Sequence, residues 1–251
     1  MNKKFYFLAG YSRSGNTLLS SILNQNKNIV ATANSPLIQI AYSINEMYNS
    51  IWIKNFPEKK GVDNLLKKLF TNYYEHLDAE VIFDRAGWGT PLNLTFLTNK
   101  IIEKPKFLLL VRPLVEVLAS LVKIHKPKNV YDFVYLEAMH PEKGKVYWDW
   151  LSTKTIITQY KKDYLLIKYD DLVKEPKNKI KEIYDFFELK PFKHSFSNLK
   201  QLSINDIRYD DSVFNSSSLH LVKKNINKQE YAVEDYLPES IIKEYKEWDY
   251  F

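Results

Sequence analysis

The sequence predicts an α/β fold with a central, mostly parallel sheet, and three observations predict it. Short, dense apolar runs recur along the chain, most of them are followed by a stretch with helical apolar spacing, and the first run leads straight into a glycine loop. Strands alternating with helices are what parallel neighbours joined by crossover helices look like in sequence. Residues 5–9 are a short apolar and aromatic run bounded by Gly10, which fits a buried strand. Leu18, Leu19, Ile22 and Leu23 then fall at helical spacing within 17–23. Residues 81–83 are a second strand, and 91–102 a helix with Pro91 in its first turn, where the missing N–H costs nothing. Residues 107–111 form the clearest buried strand, and 113–124 carry Leu114, Val117, Leu118 and Leu121 on one helical stripe. Residues 165–168 are another strand, followed by a helix with Pro176 near its start that buries Ile180, Ile183, Tyr184 and Phe187. Residues 35–75 and 125–162 are helical insertions, 205–230 a long loop rich in Asn and Ser, and 238–248 a terminal helix. No repeat or linker divides the chain, so residues 1–251 are read as a single domain.

Composition narrows the function classes. The chain has 251 residues, 45% hydrophobic and 26% charged, which suits one globular domain with a real core. The formal net charge of +6 suits a ligand carrying several phosphates, yet the lysines are scattered and form no dense run of the kind that binds nucleic acid. With no cysteine, disulfides and thiolate metal sites are excluded. No apolar run approaches the roughly 20 residues of a membrane span, and residues 5–9 are shorter than the roughly 7–15 of a leader's apolar core. A cytoplasmic protein without stable membrane insertion is the expectation.

The loop after the first strand carries the chemistry. Gly10 and Gly15 stand five apart, and the hydroxyl residue Thr17 follows two positions later, between a strand and a helix start. Backbone N–H groups and a helix N-terminus then point at a bound anion, which makes the fold a P-loop-type three-layer α/β/α arrangement. A nucleoside-triphosphatase loop reads G-x-x-x-x-G-K-[ST]; here Asn16 stands in place of the lysine. The strand at 107–111 ends in Arg112, where such an enzyme has an Asp that helps hold Mg²⁺. Arginine pairs with phosphate through a planar fork of donors, so the expectation is a phosphate site built on arginines, with no metal.

Two motifs resemble the PAPS-dependent sulfotransferases, nearest to the branch that includes tyrosylprotein sulfotransferases and small bacterial or phage homologues. Residues 11–18, Tyr-Ser-Arg-Ser-Gly-Asn-Thr-Leu, are similar to that family's 5′-phosphosulfate loop, whose usual form is P-R-S-G-T-T-L. Residues 107–120, FLLLVRPLVEVLAS, resemble its 3′-phosphate motif, with Arg112 at a strand end and Ser120 eight residues on. LIKYDDL at 166–172 resembles the segment after the next strand, with Tyr169 matching. The resemblance implies PAPS as donor, adenosine 3′,5′-bisphosphate as product, and metal-independent in-line transfer of a sulfuryl group to a hydroxyl or amine of a small molecule, glycan or peptide. It implies that Ser14, Gly15, Asn16, Thr17 and Leu18 hold the 5′-phosphosulfate and that Arg13 contacts the sulfate and bridging oxygens. It implies further that Arg112, Ser120 and Tyr169 bind the rest of the nucleotide, Arg112 and Ser120 at its 3′-phosphate. Arg85, just past a strand, stands where related enzymes carry a catalytic lysine, and Lys223 falls in a late basic loop that returns over the nucleotide in relatives.

The base is less marked. The tyrosylprotein branch has a Glu shortly after the first helix, and residues 31–36 here contain no carboxylate. Asp84, beside Arg85, is the substitute, with a structural role as its alternative; His125 is a second candidate. Trp88 reads either as a face for substrate or as a core residue. Two competing functions stand beside sulfuryl transfer: a nucleotide-binding protein without turnover, and a small-molecule or nucleotide kinase. The missing lysine and Asp weigh against the kinase, and Arg13 and Arg85 against a binding module.

Overall fold

The structure is a computed structural model that describes residues 3–56, 58–200, 222, 224–226 and 232–249. Strands β1 (Lys4–Gly10), β2 (Ile29–Ala31), β3 (Val81–Arg85), β4 (Phe107–Val111) and β5 (Tyr164–Lys168) form one sheet in the order β2-β3-β1-β4-β5. Every neighbouring pair is parallel. β2 is the strand the sequence reading passed over: three residues are too short to show a period.

Helices cover both faces. α1 (Asn16–Leu23) links β1 to β2, and α2 (Leu37–Asn49), α3 (Ile51–Lys54), α4 (Lys60–Lys67) and α5 (Leu69–Tyr73) fill the first helical insertion. α6 (Pro91–Phe96) continues as a π-type turn, Leu97–Ile101, and leads to β4. α7 (Leu114–His125) follows β4; α8 (Val130–Asp132), a π-type stretch Phe133–Ala138 and α9 (Lys145–Gln159) form the second insertion. After β5 come α10 (Tyr169–Lys174), α11 (Pro176–Phe186) and, near the end, α12 (Glu239–Lys246). Apart from 222 and 224–226, the segment 205–230 that the sequence marks as loop lies outside the described residues. Among the described residues no helix is long and apolar enough to cross a membrane.

Side chains alternate across a strand, and that alternation builds two cores. Leu8, Phe83, Leu108 and Leu110 face α1 and α11, meeting Leu19, Ile22, Ile183 and Phe187. Phe7, Ala9, Ile82 and Leu109 face the opposite way, toward Leu37, Phe70, Trp88, Leu97 and Ile156. All five residues of β4 are fully buried, as expected of a parallel strand covered on both faces. A third cluster, with Tyr11, Leu118, Trp150 and Ile241, packs α7 against α9 and α12.

The topology places the site. From central β1 the chain passes through α1 to edge strand β2; from β3, beside β1, it crosses to β4 on the other side. Crossovers that leave in opposite directions open a crevice at the carboxyl ends of the strands, where α/β sheets of this kind bind ligands. Gly10, Thr32, Arg85, Arg112 and Tyr169 all lie at or one residue past a strand end on this edge.

Candidate active site at the carboxyl edge of the sheet

Two glycines let the loop after β1 turn. Gly10 has φ 111°, and a Cβ there would stand 2.0 Å from the Leu110 carbonyl oxygen of β4. Gly15 has φ 89°, and its Cβ would meet the Tyr169 ring at 2.7 Å. Only a residue without a side chain fits either position. Arg13 between them also takes the left-handed conformation, at φ 63°, an uncommon choice for a non-glycine residue that clusters at functional sites. Gly15 is the N-cap of α1 and brings no side chain to the task. The first N–H groups of that helix, at Asn16, Thr17 and Leu18, have no acceptor one turn back and carry the positive end of the helix dipole.

Polar atoms of the loop are left over. Among the described residues, the buried Ser12 Oγ, Ser14 Oγ and Asn16 Oδ1 have no hydrogen-bond partner. Buried polar groups are almost always paired, so two orphaned hydroxyls in one loop, Ser12 Oγ and Ser14 Oγ, each able to donate, are the mark of a place for an anion. Asn16 does more than replace a lysine: its Nδ2 donates to the Tyr11 carbonyl at 2.8 Å and ties the two ends of the loop together.

The second motif meets the first. Arg13 Nε donates to Ser120 Oγ at 3.3 Å. Arg112, 3% exposed, lies 4.7 Å from the centre of the Tyr169 ring, and that ring in turn covers Gly15. Its Nε and Nη2 reach Glu116 Oε2 at 2.7 and 2.6 Å. Residues 112, 116 and 120 are spaced by four, so arginine, carboxylate and hydroxyl form one stripe along the start of α7. Arg85, at the end of β3, donates its backbone N–H to Thr32 Oγ1 at 2.9 Å and its Nη1 to the Ala33 carbonyl at 3.5 Å. It is thereby fixed to the turn that follows β2.

Asp84 corrects an expectation. It is fully buried on the face opposite Phe83, and it accepts from Tyr74 Oη at 2.5 Å and Trp88 Nε1 at 2.7 Å, with Ser35 as a third partner. Burial raises its pKa above the usual carboxylate range, while the hydrogen bonds of Ser35, Tyr74 and Trp88 pull it down. With 0% exposure and three donors around it, this carboxylate sits in a closed polar cluster, which favours the structural role over that of base. Trp88 is likewise a core residue, with 0% exposure. His125 ends α7, eleven residues from its start and about 16 Å along the axis, packed against Phe133. Lys223 lies outside the described residues.

The sequence reading missed three acids. Asp149 of α9 accepts the Ser12 N–H at 2.7 Å and pairs with Lys145 at 3.6 Å. Asp249 accepts the Leu114 N–H at the start of α7 at 3.1 Å, and burial pushes its pKa up to about 6. Glu116, at i+4 from Arg112, was visible as a helical pair; Asp149 and Asp249 lie 137 and 135 residues from their partners and left no local signal.

A glycine loop on the central strand of a parallel sheet, with orphaned hydroxyls and a buried arginine one strand away, defines an α/β protein that grips a phosphate-like anion. Residues 3–248 match the family model for the sulfotransferase domain, and the chain belongs to that family. Solved structures agree in fold. Mouse sulfotransferase SULT7A1, complexed with PAP, is 13% identical, with 99% of this chain and 83% of that one covered at a TM-score of 0.59. The sulfotransferase domain of the Synechococcus PCC 7002 olefin synthase is 17% identical over 87% and 85%, with a TM-score of 0.54. A sulfotransferase from Alicyclobacillus acidocaldarius is 11% identical over 78% and 85%, with a TM-score of 0.53. No curated protein sequence matches the chain.

Proposed function

We propose that the protein transfers a sulfuryl group from PAPS to a hydroxyl or amine acceptor. The observation that carries this reading is the hydrogen bond from Arg13 to Ser120, which joins the loop motif and the α7 motif in one place. The mouse neighbour's complex with PAP supports the choice of donor. PAPS, when bound, supplies the sulfuryl group and departs as adenosine 3′,5′-bisphosphate.

The chain's own residues do the rest. The amides of Ser14–Leu18, with the Thr17 hydroxyl and the orphaned Ser12 and Ser14 hydroxyls, hold the 5′-phosphosulfate oxygens. Arg13 faces the sulfate and bridging oxygens, and its left-handed backbone aims the side chain across the loop. Arg112 and Ser120 receive the 3′-phosphate, with Glu116 and the Tyr169 ring fixing the plane of the guanidinium. Arg85 is a preset positive charge where the leaving oxygen develops its own. Fixed charge of this kind needs no reorganisation during the reaction, which is the largest contribution in many enzymes; holding donor and acceptor in line supplies much of the remainder. Lys223 adds a cation from the late segment. Asp149 holds the Ser12 amide and so sets the loop's starting direction. A cytoplasmic setting belongs to the same proposal.

Calorimetry with adenosine 3′,5′-bisphosphate and with ATP–Mg²⁺ tests the reading. Binding of the bisphosphate and not of ATP is expected; the reverse outcome overturns it.

A further inference from the structure

The first helical insertion carries a surface that sulfuryl transfer does not use. Where α2 ends and α3 begins, large apolar side chains stand in solvent: Met47 is 57% exposed, Ile51 69%, Trp52 82% and Phe56 59%. Leu65 on α4, which packs beside α2, adds another at 57%. Single exposed apolar residues are ordinary, but a cluster including a tryptophan on one tip marks a contact surface. The 13 residues of α2 span about 20 Å and run beside α6 and the π-type turn after it, with Tyr42 stacked on Phe96 and Tyr48 beside Lys100.

The charge around the tip selects the partner. Residues 47–68 contain five lysines (54, 59, 60, 67 and 68) and two acids, Glu58 and Asp63. Both acids are engaged within the protein. Glu58 accepts the N–H groups of Lys60 and Gly61 at the start of α4, at 2.6 and 3.2 Å. Asp63 pairs with Lys100 at 3.3 Å. Lys59 and Lys100 flank the Tyr48 ring at 5.3 and 4.9 Å. Lys54, Lys60, Lys67 and Lys68, in the same stretch of chain as the apolar side chains, are exposed.

We propose that this tip docks on an anionic lipid bilayer, with Ile51, Trp52 and Phe56 entering the headgroup boundary and the lysines resting on anionic headgroups. The apolar side chains project outward, as a wedge into lipid must. Tryptophan is favoured at the membrane interface because its ring is apolar and its N–H polar, and lysine stems lie along apolar surface while their ammonium groups reach charge. Together these are the features of a segment that lies on a membrane without spanning it.

Co-sedimentation of the full chain with vesicles of phosphatidylcholine, with and without phosphatidylglycerol, tests the proposal independently of any sulfuryl transfer. The wild type is expected to pellet with the anionic vesicles and remain in solution with the neutral ones. Lys54→Ser with Lys60→Ser lowers binding about fivefold for each lysine removed. Ile51→Ser with Trp52→Ser lowers it about tenfold or more; both positions are exposed, and unchanged circular dichroism checks that the fold is kept. Failure of the wild type to pellet with anionic vesicles overturns the proposal. So does equal pelleting of the Ile51/Trp52 variant, which would mean attraction by charge alone, and so does a dimer in light scattering that this variant dissolves while vesicles leave the protein in solution.

Discussion

β1 and β3 run side by side in the same direction, yet their carboxyl ends are finished in opposite ways. β1 ends in a loop whose Ser12 and Ser14 hold buried hydroxyls without partners. β3 reaches Asp84, whose carboxylate is also buried but is met by Ser35, Tyr74 and Trp88. Burial alone therefore does not separate a ligand site from a structural polar cluster. Satisfaction does: the loop keeps hydrogen-bonding capacity in reserve for an anion, and Asp84 has used its own to hold protein together.

The sharpest way to break this contrast is at Asp84. Asp84→Ala leaves Tyr74 Oη and Trp88 Nε1 buried and unpaired, and we expect a loss of about 3 kcal/mol in denaturant unfolding. Asp84→Asn keeps an acceptor for Trp88 and should stay within about 1 kcal/mol of wild type with turnover retained. A large loss of turnover in a folded Asp84→Asn protein would restore Asp84 to the chemistry. The pH dependence gives a second reading. A folded-state pKa raised above the unfolded value stabilises the fold at low pH, and that contribution disappears as pH rises through the folded value. The wild type should thus lose stability as pH rises from about 4, and Asp84→Asn should flatten that slope. It should not abolish it, because Asp249, pushed up to about 6, acts in the same direction.

The reserved side of the contrast is sharpened at the arginines. Arg112→Ala should weaken binding of adenosine 3′,5′-bisphosphate about 30-fold, the equivalent of about 2 kcal/mol for charge-assisted hydrogen bonds, with a smaller fall in turnover at saturation. Arg85→Ala should do the reverse. Equal effects of the two on binding, measured by calorimetry beside steady-state kinetics, would remove the division of labour.

The smallest expected effect is at Asp149. Asp149→Ala frees the Ser12 amide and should reduce kcat/KM about fivefold, close to 1 kcal/mol. Asp149→Asn, whose amide oxygen still accepts, should recover most of it. Failure of the Asn variant to recover would mean that charge, and not loop position, is what Asp149 supplies.

The donor side of the site was legible in the sequence because each of its parts is local. Gly10, Gly15 and Thr17 sit within eight residues, and Arg112 and Ser120 within nine, each beside a strand long enough to recognise. The spacing of Glu116, four residues after Arg112, is a local signal too, but one the sequence reading passed over. β2 was hidden by its length of three residues. Asp149 and Asp249 were hidden by distance along the chain, since only the packing of α9 and of residues after α12 brings them to Ser12 and Leu114. The role of Asp84 stayed open in the sequence because of its neighbour: Arg85 is at the strand end, and the alternation of side chains along β3 sends the adjacent carboxylate into the opposite layer.

Asp84 has one more consequence. Ser35 stands just before α2 and Tyr74 just after α5, so a single carboxylate clasps both feet of the excursion that contains α2–α5. What lies between the feet is a cassette. Its inner length and sequence are free to change while the strand beneath keeps its register, so one donor-binding chassis accommodates differently shaped excursions, and a segment grafted between positions 36 and 73 inherits a ready-made anchorage.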